Sequence, residues 1–268
     1  MNNCLICKMF TKEIYSSLMK CTNCGHAIYK KKINNYEIHE IYNSNYFKDG
    51  EYKDYLADER IIKKNFKLRL QNLKKNNIFK DNHLLEIGSA YGFFLDLAKE
   101  FFLTASGVEL NKEALTYSSQ NHKVWEKIED VNSNIKYDVI CLWDVLEHLT
   151  NPIESIKDII NISKNNHTLV FTTGDIGSLN ARIFKKNWRL IHPPTHINYF
   201  TKKSICIMLK NLGYQITTIK YTGYYRSLDF IMYKLNVLKK LNSKFKLNNF
   251  SIYSNLYDIF YVEAKKIN

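Results

Sequence analysis

The stretch Leu84-Leu-Glu-Ile-Gly-Ser-Ala-Tyr-Gly92 decides the fold of this chain. It reads as a short apolar strand over residues 83–87 that runs into a turn at Gly88 and then opens a helix. At a glycine turn the backbone is bare, so a nucleoside-type cofactor can lie against it. Dinucleotide-binding enzymes use a related turn, and the turn alone therefore predicts a cofactor site without choosing the cofactor.

An acidic residue further along the chain strengthens this prediction. Glu109 ends the next predicted strand, about 20 residues after the turn, where a carboxylate can accept hydrogen bonds from both hydroxyls of a ribose. We expect Leu110 to line the same site. This spacing fits a nicotinamide enzyme equally well, so position alone does not separate the two classes.

From Asn82 onward, short apolar runs alternate with amphipathic stretches. The predicted strands are 83–87, 105–110, 137–143, 168–172, 215–221 and 259–264. The predicted helices between them are 93–100, 113–120, 153–162 and 202–212. Alternation of this kind predicts an α/β fold with a mostly parallel sheet that is covered on both faces.

The glycine turn resembles motif I of class I S-adenosylmethionine-dependent methyltransferases, which runs acid-x-Gly-x-Gly-x-Gly. Gly88 and Gly92 match the outer glycines, and Ala90 replaces the middle one. The resemblance implies a Rossmann-like, doubly wound, seven-stranded sheet. It further implies that Glu86 orients the methionine end of the cofactor and that Glu109 binds the ribose.

A second segment is similar to the strand-four motif of the same family, FDvIxxxxVLEHl. It is Tyr137-Asp-Val-Ile-Cys-Leu-Trp-Asp-Val-Leu-Glu-His-Leu149, and together with motif I it argues against a dinucleotide dehydrogenase. We expect Trp143 and Asp144 to border the cofactor, although Asp144 could instead cap the next helix. His148 lies at the sheet edge where ligands bind, and is a candidate catalytic base or a structural hydrogen-bonding residue.

A third segment, Trp188 followed by His192-Pro-Pro-Thr-His196-Ile-Asn-Tyr-Phe200, resembles the W…HPxHxxYF pattern of a bacterial subgroup. Its members often carry an N-terminal zinc-type knuckle and methylate small molecules or glycan precursors. His196 is therefore a candidate base or substrate contact, since histidine titrates near neutral pH. Basic residues flank Trp188 and could hold a phosphate, or form a solvated face: they are Arg182, Lys185, Lys186 and Arg189.

Four cysteines lie in two pairs near the N-terminus. Cys4-Leu-Ile-Cys7 and Cys21-Thr-Asn-Cys24 are separated by 13 residues, a spacing that favours a tetrahedral four-sulfur zinc site. Four thiolates leave no open coordination position, so we expect structural Zn²⁺. His26 follows the second pair, and we expect it outside the ligand set.

We predict three units: a zinc knuckle at 1–30, a helical cap or linker at 31–80, and a methyltransferase domain at 81–268 with a C-terminal helical insertion. The cap contains a helix from about residue 54 to 75. Its aromatic residues could form a lid over a sulfonium cation, or simply pack the helix: they are Tyr46, Phe47, Tyr52 and Tyr55.

The chain carries a net charge of +13, yet only five of its 39 basic residues are arginine, which argues against nucleic acid as a partner. No apolar run is long enough to span a membrane, and no signal peptide is evident, so we expect a cytoplasmic protein.

The sequence thus favours an S-adenosylmethionine-dependent O-methyltransferase that acts on a small molecule, a sugar, or a nucleotide-linked or phosphoryl-bearing precursor in surface-polysaccharide biosynthesis. The alternatives are an RNA methyltransferase that grips its substrate with the knuckle and basic surface, a C-methyltransferase acting on nucleotide-linked sugars, and a non-catalytic cofactor-binding protein.

Overall fold

The structure is a computed structural model, and it describes residues 3–42, 46–47, 54–74, 79–131, 134–228 and 250–267. The N-terminal part forms three short antiparallel strands, β1 (Thr11–Ile14), β2 (Leu18–Cys21) and β3 (Ala27–Tyr29). Two helices follow them, α1 (Asn35–Ile41) and α2 (Glu59–Lys74).

These two helices refine the predicted cap. Helix α1 was not predicted, although Asn34 and Glu37 form a reciprocal capping box at its start. Helix α2 begins at Glu59 rather than near residue 54, because the Asp54 carboxylate accepts a hydrogen bond from the Ala57 N–H (3.0 Å) and holds a turn there.

The remaining elements include all the strands and helices predicted from residue 83 onward, together with four further strands and one further helix. In chain order they are β4 (His83–Ile87), α3 (Phe93–Ala98), β5 (Thr104–Val108), α4 (Lys112–Ser118), β6 (Lys123–Trp125), β7 (Tyr137–Trp143), α5 (Pro152–Ile162), β8 (Ser163–Gly174), α6 (Leu179–Phe184), β9 (Asn198–Tyr199), α7 (Lys202–Asn211), β10 (Tyr214–Tyr221), β11 (Tyr224–Ser227), β12 (Ser251–Ser254) and β13 (Ile259–Lys266).

Seven of these strands form the central sheet, in the order β10-β13-β8-β7-β4-β5-β6. Strands β4 to β8 pair in parallel, whereas β13 runs antiparallel to both of its neighbours. The predicted Rossmann-like, mostly parallel seven-stranded sheet is therefore confirmed. Its parallel strands end at one common edge, where doubly wound sheets bind their ligands.

Strand β7 shows how the core covers both faces of this sheet. Val139 and Cys141 pack on the face that α2 and α3 cover, while Ile140 and Leu142 pack on the face that α5 and α7 cover. Successive side chains of a strand point to opposite faces, so a continuous apolar run is needed wherever both faces are buried. Each fully buried aliphatic side chain contributes about 1.5–3 kcal/mol to folding.

The N-terminal strands pair with a strand from the second half of the chain. Strand β3 pairs with β9 of the 192–200 segment, with Ala27 opposite Tyr199 and Ile28 opposite Asn198, giving a four-stranded sheet β1-β2-β3-β9. This pairing was not predicted from the sequence. It ties the predicted knuckle directly to the segment that carries His196.

The segment near the C-terminus contributes a ribbon. Strands β11 and β12 pair antiparallel, and the predicted helical insertion falls mainly on residues 229–249, which lie outside the described residues. Among the residues that the structure does describe, no helix combines the length and apolarity needed to cross a lipid bilayer.

Candidate functional site

The turn after β4 is built around two glycines with positive φ, Gly88 (73°) and Gly92 (80°). A Cβ atom added at Gly88 would lie 2.5 Å from Cγ2 of Val145, and one added at Gly92 would lie 2.9 Å from Cδ2 of His122. Both the backbone conformation and the available space therefore require glycine. The carbonyl of Val108 accepts hydrogen bonds from the N–H groups of Gly88 and Ser89, which closes the turn onto β5.

Glu109 lies directly across this turn. Its Oε2 accepts a hydrogen bond from the Ala90 N–H (2.7 Å) and its Oε1 accepts one from the Asn111 N–H (2.7 Å). Burial raises the pKa of Glu109, while these N–H groups counteract that effect. Each carboxylate oxygen keeps a further lone pair. Leu110, the next residue, is half-buried.

Three buried polar atoms around the turn have no hydrogen-bond partner in the part of the chain that the structure describes. They are Oε2 of Glu86, Oγ of Ser89 and Nε1 of Trp143. Burial also raises the pKa of Glu86 well above its ordinary value. Buried polar groups are normally paired, and unpaired ones in a glycine-lined turn fit a bound polar ligand. These residues therefore fit a nucleoside-type cofactor that carries a charged or polar tail.

Asp144 has a structural role that the sequence did not reveal. It lies at φ 57° after β7, and its Oδ2 forms an ion pair with Arg69 of α2 (2.8 Å). Both of its carboxylate oxygens accept a hydrogen bond from the Tyr224 hydroxyl (2.8 Å). Oδ1 also accepts one from the Thr172 hydroxyl (2.8 Å). The alternative of a helix cap is not seen, because the turn after it lacks a side-chain cap.

The neighbours of Asp144 form one packed group. The Arg69 guanidinium lies over the rings of Trp143 (5.2 Å) and Tyr224 (5.0 Å). Burial alone would raise the pKa of Asp144, but the Arg69 charge and the two hydroxyl donors bring it below its ordinary value. Asp144 thus fastens α2 and β11 to the ligand edge of the sheet, and Trp143 packs beneath them.

The two predicted catalytic histidines lie together at the same edge. Their ring centroids are 4.6 Å apart, and the ring of His192 lies 3.8 Å from that of His196. Nδ1 of His148 donates to the Thr195 carbonyl (2.9 Å), and Nδ1 of His196 donates to the Leu190 carbonyl (2.9 Å). A carbonyl oxygen only accepts, so each ring carries its proton on Nδ1 and keeps a lone pair on Nε2.

Glu147 completes this group, although the sequence analysis did not select it as a site residue. Its Oε2 accepts the hydroxyl of Thr173 (2.8 Å), and its carbonyl accepts the Ile197 N–H (2.9 Å). Burial, assisted by the charge of Asp144, raises the pKa of Glu147 to about 8. Burial lowers the pKa of His148 to about 4 and that of His196 well below its ordinary value. Both histidines are therefore neutral at physiological pH.

Tyr42, which follows helix α1, and the aromatic residues Phe47 and Tyr55 lie over this edge. The Tyr42 carbonyl accepts a hydrogen bond from the Asn111 side chain (2.9 Å), and the Tyr42 ring meets the ring of His148 at 6.0 Å. Phe47 and Tyr55 are buried against each other, and both contact Tyr91 in the glycine turn. The cap thus joins the cofactor side to the histidine side; Tyr52, predicted with this group, lies outside the described residues.

The four N-terminal cysteines converge as the spacing predicts. The Sγ atoms of Cys4 and Cys24 are 3.6 Å apart, and those of Cys7 and Cys21 are 3.4 Å apart. All four Sγ atoms lie within 4.8 Å of one another. A tetrahedral ion with metal–sulfur bonds of about 2.3 Å would place its sulfurs about 3.8 Å apart. This geometry could therefore hold a metal ion.

The cysteine site is fastened to the histidine segment. His26 is buried, and its Nε2 is 3.2 Å from Oδ1 of Asn198. The Asn198 amide also donates to the Leu149 carbonyl, and the Thr201 hydroxyl donates to the Cys24 carbonyl (2.6 Å). The turn that contains Cys21 and Cys24 is thus hydrogen-bonded to the segment that directly follows His196.

The basic residues around Trp188 were left with two alternatives, a phosphate site or a solvated face, and the structure shows what each of them contacts. The Arg189 guanidinium and the Trp188 indole N–H both bind the buried carboxylate of Asp258, at 2.8 and 2.9 Å. This carboxylate also accepts the Asn180 side chain. Arg189 is therefore committed to anchoring the start of β13, whereas Lys185 and Lys186 are exposed.

Comparison with known proteins bears on what this edge does. The model of a family described as "Methyltransferase domain" matches residues 57–219, which is more than half of the chain. No curated protein matches the chain.

Several solved structures share its architecture. YcgJ from Bacillus subtilis aligns with a TM-score of 0.55 at 13% identity, covering 76% of this chain and 98% of that one. A SAM-dependent methyltransferase from Archaeoglobus fulgidus gives 0.53 at 19%, covering 79% and 99%. Magnesium protoporphyrin IX methyltransferase from Synechocystis, with bound SAH, gives 0.55 at 14%, covering 87% and 100%. At these identities the likeness shows a shared fold.

Proposed function

The chain belongs to the methyltransferase domain family and is therefore an enzyme, and we propose that it transfers the methyl group of S-adenosylmethionine to an oxygen atom of a small acceptor. The observation that carries this proposal is the closure of the Gly88 turn onto the Glu109 carboxylate, beside a buried histidine pair at the same sheet edge.

Named residues would hold the cofactor. Glu109 offers both carboxylate oxygens to the ribose hydroxyls, and Gly88 and Ala90 present bare backbone to the nucleoside. Glu86, buried and with Oε2 unpaired among the described residues, would receive the polar methionine end, and Trp143 would border it. When bound, S-adenosylmethionine supplies a methyl group attached to a positively charged sulfur.

The acceptor would lie against Glu147, His148 and His196. During transfer the acceptor hydroxyl loses its proton, the new O–C bond forms as the C–S bond breaks, and the sulfur keeps the electron pair. The chain must therefore align the acceptor oxygen and exclude water from it. The neutral rings of His148 and His196 each offer an Nε2 lone pair that can accept the hydroxyl hydrogen.

The acceptor class is part of the proposal. We favour a hydroxylated small molecule such as a sugar, or a nucleotide-linked or phosphoryl-bearing precursor of a surface polysaccharide. Its support is the 188–200 segment, which resembles a glycan-precursor subgroup. The burial of Glu147 and His196, to about 5% and 7% exposure, also suits a small acceptor better than RNA.

We also propose that the four cysteines hold structural Zn²⁺. Support comes from the convergence of the four sulfur atoms and from backbone N–H groups that donate to them, including Ile6 to Cys4 and Cys24 to Cys21, each at 3.4 Å. Such N–H···S bonds stabilise thiolates, the form that zinc binds.

Calorimetric titration with S-adenosylmethionine and S-adenosylhomocysteine tests the cofactor assignment. We expect a Kd on the order of micromolar, weakened about 10-fold or more, roughly 1.4 kcal/mol, by Glu109→Ala. Glu100→Ala is the matched control, because Glu100 is an exposed acid just after the end of α3, at the far end of that helix from the glycine turn. A folded protein that binds neither compound, or binds both equally after Glu109→Ala, would refute the assignment.

A further inference from the structure

The group formed by Glu147, His148 and His196 has the composition and spacing of a metal site. One ligand atom from each, a carboxylate oxygen or a ring nitrogen, lies within 4.8 Å of the other two. An ion bound 2.0–2.2 Å from each atom needs ligand separations of about 3–3.5 Å. Inward movements of about 1 Å would therefore bring all three side chains into coordination distance.

The surroundings already orient these side chains as ligands. The Nδ1 protons of His148 and His196 are both bound to backbone carbonyls, so both Nε2 lone pairs are available. Metal-binding histidines commonly donate their other ring N–H to a carbonyl or carboxylate in this way, which fixes the tautomer and the ring orientation. The Thr173 hydroxyl likewise holds one oxygen of Glu147 and leaves the other oxygen for an ion.

The charge balance of the site also favours a cation. Glu147 is buried, and its side-chain partner is a neutral hydroxyl. The nearby positive charge of Arg69 is already paired with Asp144 at 2.8 Å. A buried carboxylate without a cationic partner is costly, and a divalent ion would offset that cost.

We infer that Glu147, His148 and His196 bind a divalent cation at the acceptor side of the cleft. Two imidazoles and one carboxylate suit Mn²⁺, Fe²⁺ or Zn²⁺, and three protein ligands leave open coordination positions. The acceptor hydroxyl can take one of these positions, where a cation lowers its pKa. The inference rests on the proposed function for the position of the acceptor, but not for the cation site itself. The histidines are then ligands rather than bases, and the proton that the hydroxyl loses on binding the cation passes to solvent water instead of to an Nε2 atom.

Titration of the purified full chain with Mn²⁺, followed by electron paramagnetic resonance of the free ion, tests this inference. Mn²⁺ is the chosen probe because it prefers oxygen and nitrogen ligands, so the four-cysteine site does not compete for it. We expect one Mn²⁺ per chain, with affinity lowered at least 10-fold by Glu147→Gln and by His196→Gln. His83→Gln is the control, since His83 lies at the opposite end of β4 and binds Thr104.

Each variant is also titrated with S-adenosylhomocysteine without added metal, which reports the integrity of the fold and the cofactor site independently. Retained S-adenosylhomocysteine binding with reduced Mn²⁺ binding supports the metal site. Mn²⁺ binding that is absent from the wild type, or equal in all variants, overturns it and leaves the proposed function standing. Mn²⁺ binding in a wild type that does not bind S-adenosylhomocysteine would contradict the cofactor assignment instead.

Discussion

Replacing Gly88 with alanine tests whether the turn after β4 is fixed by conformation, by space, or by both. Gly88 has φ 73°, and a left-handed backbone costs a residue with a Cβ about 1–2 kcal/mol. The added Cβ would also lie 2.5 Å from Cγ2 of Val145, and overpacking of this kind costs about 1–3 kcal/mol. We therefore expect Gly88→Ala to lower the free energy of unfolding by about 2–5 kcal/mol.

Two comparisons separate the contributions. Gly213 has a matching φ of 74°, and the single close contact of a Cβ there would be the flexible end of Lys266 (Nζ at 2.8 Å), with the Ile267 carbonyl oxygen at an ordinary 3.7 Å. Gly213→Ala should therefore cost the conformational part alone, about 1–2 kcal/mol. In a Val145→Ala background the clash disappears, and Gly88→Ala should then cost no more than Gly213→Ala does.

Urea unfolding, followed by circular dichroism, gives the free energy of unfolding of the three single variants and of the Gly88→Ala/Val145→Ala double variant. In a thermal melt, a loss of 3 kcal/mol should lower Tm by about 6–12 °C in a chain of this size. If Gly88→Ala lowers the free energy of unfolding no more than Gly213→Ala does, the contact with Val145 has no energetic effect. The same conclusion follows if Val145→Ala does not reduce the loss caused by Gly88→Ala.

Three further predictions concern other parts of the site. Arg69→Met should lower the free energy of unfolding by about 2 kcal/mol, less than the roughly 3–5 kcal/mol lost when a fully buried pair is broken, because the partner carboxylate is 33% exposed; urea unfolding should show no comparable loss for Arg60→Met on the exposed side of the same helix. Glu147 has a raised pKa, so it binds a proton in the folded state that it loses in the unfolded state, and its contribution to stability falls as pH rises towards about 8. Without added divalent cations, Glu147→Gln should therefore gain roughly 1–2 kcal/mol relative to wild type between pH 6.5 and 8, and parallel stability curves would contradict this. Cys7→Ser should reduce zinc content, measured by a colorimetric chelator, and lower acceptor turnover while S-adenosylhomocysteine affinity holds; Cys206→Ser, outside the cluster, should retain zinc.

Local sequence patterns predicted the glycine turn after β4 and the strands around it. The turn conformation at Gly88 depends on residues within a few positions, and the buried strands depend on apolar runs that both faces of a parallel sheet require. The position of Glu109 near the Gly88 turn is also predictable, because β5 runs parallel to β4 and ends at the same edge of the sheet. These features are written into short stretches of chain, where spacing is informative.

The acceptor side depends on contacts between distant residues, and here the sequence said less. Arg69 and Tyr224 look like ordinary surface residues in sequence, yet both meet Asp144 in the fold. Arg189 was considered for a phosphate site or a solvated face, whereas in the fold it binds a carboxylate 69 positions away. Glu147 was overlooked beside His148 because its partner, Thr173, belongs to another strand. No local periodicity encodes such pairs.

The pairing of β3 with β9 has a consequence for biosynthesis. His26 and Asn198 are 172 positions apart, so at about 5–20 residues per second the ribosome takes roughly 10–35 s to deliver β9 after β3 has been made. During that interval β3 is a bare sheet edge that could join the strand of another nascent chain. Three consecutive lysines, Lys30 to Lys32, follow β3 directly, and lysines at a strand edge discourage such joining. These three lysines can therefore protect the nascent chain, before β9 is made, against pairing with other chains through the edge of β3.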